Sequence, residues 1–383
     1  MKKKILFAAT SEGIQAGASR CYLNIVEEFK KREIDFVCLL PREGLMSQEL
    51  KKLGIKYYTV YDFNGVWQVD NDFQMNFVNY LKYVVKSFYN FFAVNRVKKI
   101  IINEKIDIVH INSISRNVAA LAARKADVPY VWHIRELLEE GLSSKFIDEK
   151  KARNLLQGAS RVLCISKTVE DYYQRKYNLK NTAIIYDGID INKFYSDRDI
   201  FHCKKIRIGI IGRVEEQKRQ HILIKAFARL SDSFDNIYCE LVGDYKKDDY
   251  YNSLIKIVSD FGISEMISFT GFVNNPQDYL KTYDIVCVCS YAEAFGLTTI
   301  EGMLSGALVV ASDSGCNSEL MRAGINGLLY KCDDIDDLYE KLKYAIKDVN
   351  KSRIIAKYGQ KFAVDFSLDK NVNNILNCYE EIN

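Results

Sequence analysis

Short apolar runs alternate with longer amphipathic stretches from one end of the chain to the other. In the first half the runs at 4–10, 35–40, 56–61, 107–112, 129–133, 161–165 and 183–186 read as strands. They are continuous rather than alternating, as expected of strands buried on both faces. Between them lie helical patterns: Tyr22, Ile25, Val26 and Phe29 fall at i, i+3, i+4 and i+7, one face of a helix. The pattern breaks over 187–203, a polar stretch with several aspartates, and restarts with a run at 205–211 that leads into Gly212. Further strands are expected at 238–242, 267–270, 285–289 and 307–311, and a last helix at 368–382. Strands joined by helices imply parallel sheets covered on both faces. The expectation is an α/β chain of two doubly wound Rossmann-like domains, 1–190 and 204–366. A C-terminal helix over 367–383 is placed to pack back on the first.

One helical stretch differs from the rest. From Tyr80 to Asn103 there is no acidic residue. Lys82, Lys86, Arg96, Lys98 and Lys99 share it with Tyr80, Tyr83, Phe88, Tyr89, Phe91 and Phe92. A basic, aromatic amphipathic helix can lie on an anionic membrane surface. The plainer reading is a sheet-covering helix with a solvated basic face, and it is preferred here because aromatics also suit a core.

Composition narrows the function classes. The 383 residues are 48% hydrophobic, enough for more than one core. A net charge of +4 is too mild to argue for a nucleic-acid partner. The 10 cysteines form no C-x-x-C pair, and Cys287 and Cys289 alternate on one face of an apolar strand. They read as small buried hydrophobes in a reducing compartment, not as a metal site or disulfides. Met1-Lys2-Lys3-Lys4 resembles the start of a signal peptide, but the apolar run at 5–9 is too short to continue one. No apolar run is long enough to span a bilayer. A cytoplasmic protein is expected.

The chemistry concentrates in the second half. Gly212 ends a strand, and Arg213 and Lys218 follow in the next loop. Glycine permits close backbone approach, and a fork-like cation beside a flexible one suits a diphosphate. The strand at 285–289 leads through Ser290 to Glu293, and Phe295-Gly296 opens a helix through Leu297, Thr298 and Thr299 to Glu301. A helix N-terminus attracts phosphate. Two acids beside an anion site are unhelpful unless they accept hydrogen bonds from ligand hydroxyls, and ribose and hexose supply such hydroxyls.

These segments carry a resemblance. Gly212-Arg213…Lys218, Leu241-Val242-Gly243-Asp244, Phe269-Thr270-Gly271-Phe272-Val273, Tyr283-Asp284-Ile285, Ser290…Glu293-Ala294-Phe295-Gly296…Glu301, Ser314-Gly315…Glu319 and Gly324…Gly327-Leu328-Leu329 resemble a family 4 glycosyltransferase of the GT-B fold. In the first half Asp107-Ile108-Val109-His110, Trp132-His133 and Asp187-Gly188-Ile189-Asp190…Phe194 fit more loosely. The resemblance implies two parallel sheets facing across a cleft that closes over the donor. It implies that Arg213 and Lys218 grip the donor diphosphate, that Glu301 holds the ribose, and that Glu293 contacts the donor sugar. Phe295, Gly296, Leu297 and Thr298 would line the sugar pocket, and Phe272 and Val273 would border the base. His133 would face the reacting sugar, Gly17 would approach the donor phosphates or the acceptor, and His110 reads as structural. The chain departs from the family at Ala16-Gly17 in place of Gly-Gly, at Arg219 in place of a glycine, at Ser318-Glu319 in place of Pro-Glu, and at Asp187-Gly188 in place of Asn-Gly.

The activity so implied is a retaining transfer from a nucleotide sugar, a UDP-sugar on frequency alone, needing no metal or other cofactor. The acceptor would be a glycan or lipid-linked glycan in cell-surface polysaccharide assembly at the inner membrane face. A GDP- or ADP-sugar transferase, a sugar-nucleotide epimerase and a non-catalytic partner subunit are the alternatives. NAD is disfavoured because Gly209–Gly212 gives no G-x-G-x-x-G.

Overall fold

The structure, a computed structural model, describes residues 3–68 and 73–382. Met1 and Lys2 of the basic start, and the side chain of Tyr83, lie outside the described residues. The chain forms two compact units, one running to Gly188 and resuming at Leu368, the other spanning Ile189–Ser367.

In the first unit the strands are β1 (Ile5–Ala8), β2 (Phe36–Leu40), β3 (Tyr57–Thr59), β4 (Val66–Gln68), β5 (Ile108–Asn112), β6 (Tyr130–Ile134), β7 (Ser144–Phe146), β8 (Arg161–Cys164) and β9 (Thr182–Ile184). Seven of them form a parallel sheet in the order β3-β2-β1-β5-β6-β8-β9. Every strand of that sheet was legible as an apolar run. The short β4 and β7, an antiparallel pair of mixed polarity, were not. The helix Gly17–Lys31 buries Tyr22, Ile25, Val26 and Phe29, the face its spacing marks out. The helix Leu368–Glu380 places Val372, Ile375 and Tyr379 in the same core. Burying each of these apolar side chains contributes about 1.5–3 kcal/mol.

The second unit contains β10 (Ile206–Ile211), β11 (Ile237–Val242), β12 (Ile267–Gly271), β13 (Ile285–Val288), β14 (Leu308–Ser312) and β15 (Leu328–Tyr330). They form a parallel sheet in the order β12-β11-β10-β13-β14-β15. Only β15, which is 3 residues long, was not expected from the pattern. Both sheets are doubly wound, reversing strand order beside their first strand. In such sheets ligands bind outside the carboxyl ends of the strands at the reversal.

The aromatic helix corrects the sequence reading. It runs Phe73–Asn103, and its last turns bury Ala93, Val94, Val97 and Ile101 as a sheet-covering helix should. Its earlier part does not: Phe88 is 66% exposed, Tyr89 60%, Phe91 55% and Phe92 57%. Periodicity could not reveal which turns of the helix would be covered. Among the described residues no helix is long and apolar enough to cross a membrane. All the cysteines are free; most are buried, but Cys203 is exposed and Cys332 partly so.

Candidate active site

The reversal in the second sheet falls between β10 and β13. The loop after β10 carries Gly212, Arg213 and Lys218; the loop after β13 carries Ser290 and Glu293. Lys218 Nζ donates to Glu293 Oε2 at 3.1 Å and to Ser290 Oγ at 3.3 Å. The backbones are tied as well, Tyr291 N donating to Gln217 O at 3.0 Å. The Lys218 and Glu293 side chains stay 32% and 17% exposed, so the pair faces outward rather than sealing a core. Arg213 is more open, with Nη2 3.3 Å from Glu215 Oε1. Its carbonyl accepts from Gln220 Nε2 at 2.8 Å, which pins the loop beneath it.

The glycines at these strand ends have a packing reason. Gly243 takes φ +154, and a Cβ there would lie 2.0 Å from the Gly212 carbonyl oxygen. The loops after β10 and β11 therefore touch backbone to backbone. Gly243 N in turn donates to Gly271 O at 2.9 Å, joining the loop after β12. Phe272, half exposed, and Val273, half buried, leave the sheet from that third loop along the same carboxyl edge. Arg219, where the family commonly has glycine, takes φ +53, a left-handed conformation that glycine adopts without strain. Its guanidinium is held 3.0 Å from Asp333 Oδ1.

The second segment is held from behind. Cys316 N donates to Glu293 O at 2.7 Å, and Ser312 Oγ donates to Ser290 O at 2.8 Å. A Cβ at Gly315 would lie 2.4 Å from Glu293 O. Gly296, at φ +94, opens the helix Leu297–Leu304 and supplies no side-chain cap. Leu297 and Thr298 are half buried, and Thr299 Oγ1 donates to Asn317 Oδ1 at 2.7 Å. The first turn carries no acid that would oppose an anion. Glu301 lies one turn on and is 4% exposed. Phe295 is buried against Phe366, centroids 5.9 Å apart.

Gly17 and His133 belong to the other unit. Gly17 begins the helix Gly17–Lys31, after Ala16 in extended conformation. His133 is fully buried within β6, in a polar group that sequence reasoning did not assemble. Its Nδ1 lies 3.2 Å from His110 Nε2 and 3.5 Å from Arg135 Nη2. Arg135 is ion-paired with buried Asp187, and its Nε donates to Asn112 Oδ1 at 2.6 Å. Asn112 Nδ2 reaches Ala18 O at 3.4 Å, linking the group to the start of the first helix. Burial, and then the Arg135 charge, pushes His110 down to about 3. Burial pushes His133 well below its ordinary value, reinforced by Arg135 and His110. The sequence marked His133, His110 and Asp187-Gly188 separately, and nothing in it joined them to one another or to Arg135. Among the described residues no group of three or more His, Cys, Asp or Glu side chains is arranged to hold a metal ion.

Two family models tile the chain. One described as Glycosyltransferase Family 4 matches residues 16–193, and one described as Glycosyl transferases group 1 matches 193–362. An uncharacterised glycosyltransferase of Methanocaldococcus jannaschii is 26% identical over 298 residues, covering 74% of this chain and 78% of that protein. The lipopolysaccharide core biosynthesis mannosyltransferase LpsB of Rhizobium meliloti is 24% identical over 285 residues, covering 66% and 79%. Among solved structures, HepE of Anabaena in complex with UDP-glucose superposes with a TM-score of 0.78 at 24% identity, covering 98% of this chain and 99% of that one.

Proposed function

The chain belongs to the family 4, group 1 glycosyltransferases and has the GT-B fold, and from that premise we propose that it moves a hexose or N-acetylhexosamine from a nucleotide sugar to a glycan or lipid-linked glycan. The transfer retains anomeric configuration and needs no divalent metal. The observation that carries this reading is the Lys218–Ser290–Glu293 cluster at the reversal of the second sheet, beside the uncapped start of the helix Leu297–Leu304. A cation and a carboxylate 3.1 Å apart suit a ligand that is both anionic and polyhydroxylated. A sugar diphosphate is such a ligand. In the reaction, negative charge grows on the leaving diphosphate as the glycosidic bond breaks. Lys218, Arg213 and the helix N–H groups are the preorganised positive groups that would stabilise it, a role a metal would otherwise fill. Arg213 gives up little on leaving Glu215, because an exposed ion pair is worth about 0–1 kcal/mol. Glu293 and the Gly296–Thr298 turn take the sugar, Glu301 takes the ribose, and Phe272 and Val273 take the base.

UDP-glucose is the first donor to try, because HepE binds it; GDP- and ADP-sugars follow. The experiment is thermal unfolding in EDTA with UDP, GDP, ADP, TDP and NAD, followed by a transfer assay. A ligand at about 100 times its Kd stabilises by roughly 2.7 kcal/mol. Selective stabilisation by one nucleoside diphosphate supports metal-free donor binding and names the base. Stabilisation by none overturns the donor site. Epimerisation of the sugar nucleotide without release of UDP would replace transferase by epimerase for this chain's reaction.

The exposed aromatics of the helix Phe73–Asn103, with Lys82 and Lys86 among them and no acid along it, support docking on an anionic membrane where a lipid-linked acceptor resides. Co-sedimentation with anionic liposomes at low salt, weakened by Phe88→Ser/Phe92→Ser, is expected. Failure to sediment overturns it.

A further inference from the structure

We propose that a cleft on the carboxyl edge of the first sheet is a subsite for an anionic sugar of the acceptor, its ring packed against Trp67 and Tyr61 and its carboxylate or phosphate held by Lys82 and Lys86. As a statement about an acceptor it rests on the glycosyltransferase reading, and it gives that acceptor a chemical class.

The cleft has a volume of about 440 Å³ and is walled by residues of the first unit alone. Small-molecule sites run to about 300–1,000 Å³. Three loops that leave the sheet at its carboxyl ends meet there: Arg42 follows β2, Tyr61 to Phe63 follow β3, and Arg116 follows β5. The remaining wall comes from the pair β4 and β7, which belongs to neither parallel sheet; β4 carries Trp67, and Ile147 follows β7. The frame is tied at several points. Phe63 N donates to Asn90 Oδ1 at 2.9 Å, and Asn90 Nδ2 donates to Phe63 O at 3.2 Å. Gly65 N donates to Ser115 O at 2.8 Å, and Ile147 N to Gly65 O at 3.0 Å. Arg116 Nε donates to Thr10 O at 2.7 Å and its Nη1 to Asp62 O at 2.8 Å, so one guanidinium braces two loops.

The walls are chemically selective. Tyr61 is 59% exposed, its ring edge-on to Phe63 with centroids 5.0 Å apart, and Trp67 is half buried. The C–H face of a pyranose packs on such rings. The charges do not balance. Arg116 is ion-paired with buried Asp62, the one acid of the lining among the described residues, and Arg42 is ion-paired with Glu12. Lys82 and Lys86 complete the lining and enter no ion pair among the described residues. They stand at i and i+4 on the helix Phe73–Asn103, a spacing at which like charges repel. Lys86 Nζ lies 5.2 Å from the Phe63 centroid, which sets one ammonium beside the aromatic wall. An anion between the two lysines removes the repulsion through charge-assisted hydrogen bonds. A neutral glycan would leave the lysines facing each other, and a lipid phosphate alone would leave the rings unused. A sugar that carries its own charge uses both.

The test is calorimetry on the full chain without donor, using trigalacturonate, glucose 1-phosphate and, as neutral control, maltotriose. At least one anionic sugar is expected to bind, more weakly as salt rises, while maltotriose does not bind at the same concentrations. Lys82→Gln/Lys86→Gln and, separately, Trp67→Ala are each expected to weaken that binding on the order of tenfold, the loss of a charged hydrogen bond or of an aromatic contact, with UDP binding unchanged. Binding of trigalacturonate alone identifies the anion as a sugar carboxylate, and binding of glucose 1-phosphate alone as a sugar phosphate. Equal binding of maltotriose, binding of neither anionic sugar, or full binding by both variants overturns the subsite. A lysine variant that loses anionic liposomes yet keeps the anionic sugars also overturns it and assigns the lysines to the membrane. Stabilisation by a nucleoside diphosphate with no anionic sugar bound sinks the subsite alone. An anionic sugar bound with no nucleoside diphosphate stabilising the chain sinks the transferase reading and leaves the ligand class of the cleft standing.

Discussion

Replacing Lys218 by alanine is the sharpest test of the donor site. Two unit charges about 4 Å apart interact by about 4 kcal/mol at an effective dielectric near 20, the value for a partly exposed position. Lys218 keeps about a third of its side chain exposed, so screening places it at or below that figure. Loss of one preorganised group facing the developing charge costs about 10²–10³ in rate. The structure adds a second consequence. Lys218→Ala leaves Glu293 without the ammonium now 3.1 Å away, so its carboxylate repels the incoming diphosphate. Adding Glu293→Gln should therefore recover part of the loss, with a coupling of about 0.5–3 kcal/mol between the two changes. Stability should hardly move, since a partly exposed pair is worth about 0–1 kcal/mol. The assay is transfer from UDP-glucose in EDTA, or from whichever donor the binding panel selects, with thermal unfolding of each variant alongside. Turnover of Lys218→Ala within a few-fold of the parent refutes the diphosphate role. Strict additivity with Glu293→Gln refutes the functional pairing.

Glu301→Gln should weaken nucleotide binding without unfolding the chain; unchanged affinity by calorimetry argues against the ribose role. Gly243→Ala should destabilise by about 2 kcal/mol or more, because its Cβ would lie 2.0 Å from the Gly212 carbonyl oxygen; an unchanged urea midpoint contradicts that close approach. His110 sits at about 3 in the folded chain against an ordinary 6.5. The unfolded chain therefore binds the extra proton between those values, and stability falls as pH drops from 6.5 toward 3. This one group contributes about 1.4 kcal/mol per pH unit within that window. His110→Gln should remove that much of the slope in urea titrations at pH 5 and 7, and an identical slope in both proteins rejects the buried neutral ring.

Much of the architecture was readable in advance because parallel strands buried on both faces advertise themselves as unbroken apolar runs. The strands missed were β4, β7 and β15, each 3 residues long; β3 and β9 are as short but overlap longer strand-like runs, at 56–61 and 183–186, that gave them away. The candidate residues of the second unit were readable for a different reason: Gly212, Arg213 and Lys218 follow one strand closely, and Glu293 to Glu301 follow another. Local sequence determines which residues stand at a strand end. Only the tertiary structure decided that β10 and β13 are neighbours, and so that Lys218 and Glu293, 75 positions apart, come within 3.1 Å. The group around His133 was beyond the sequence altogether. It draws on β5, β6, the residue before Gly188 and the C-terminal helix, and no periodicity links Tyr379 to His110, 269 positions away. The aromatic helix falls in the same class. Its sequence determined that it would be a helix, basic and rich in rings. Whether those rings met a core or solvent depended on how far the neighbouring elements extend, which is a property of packing and is written in no single segment.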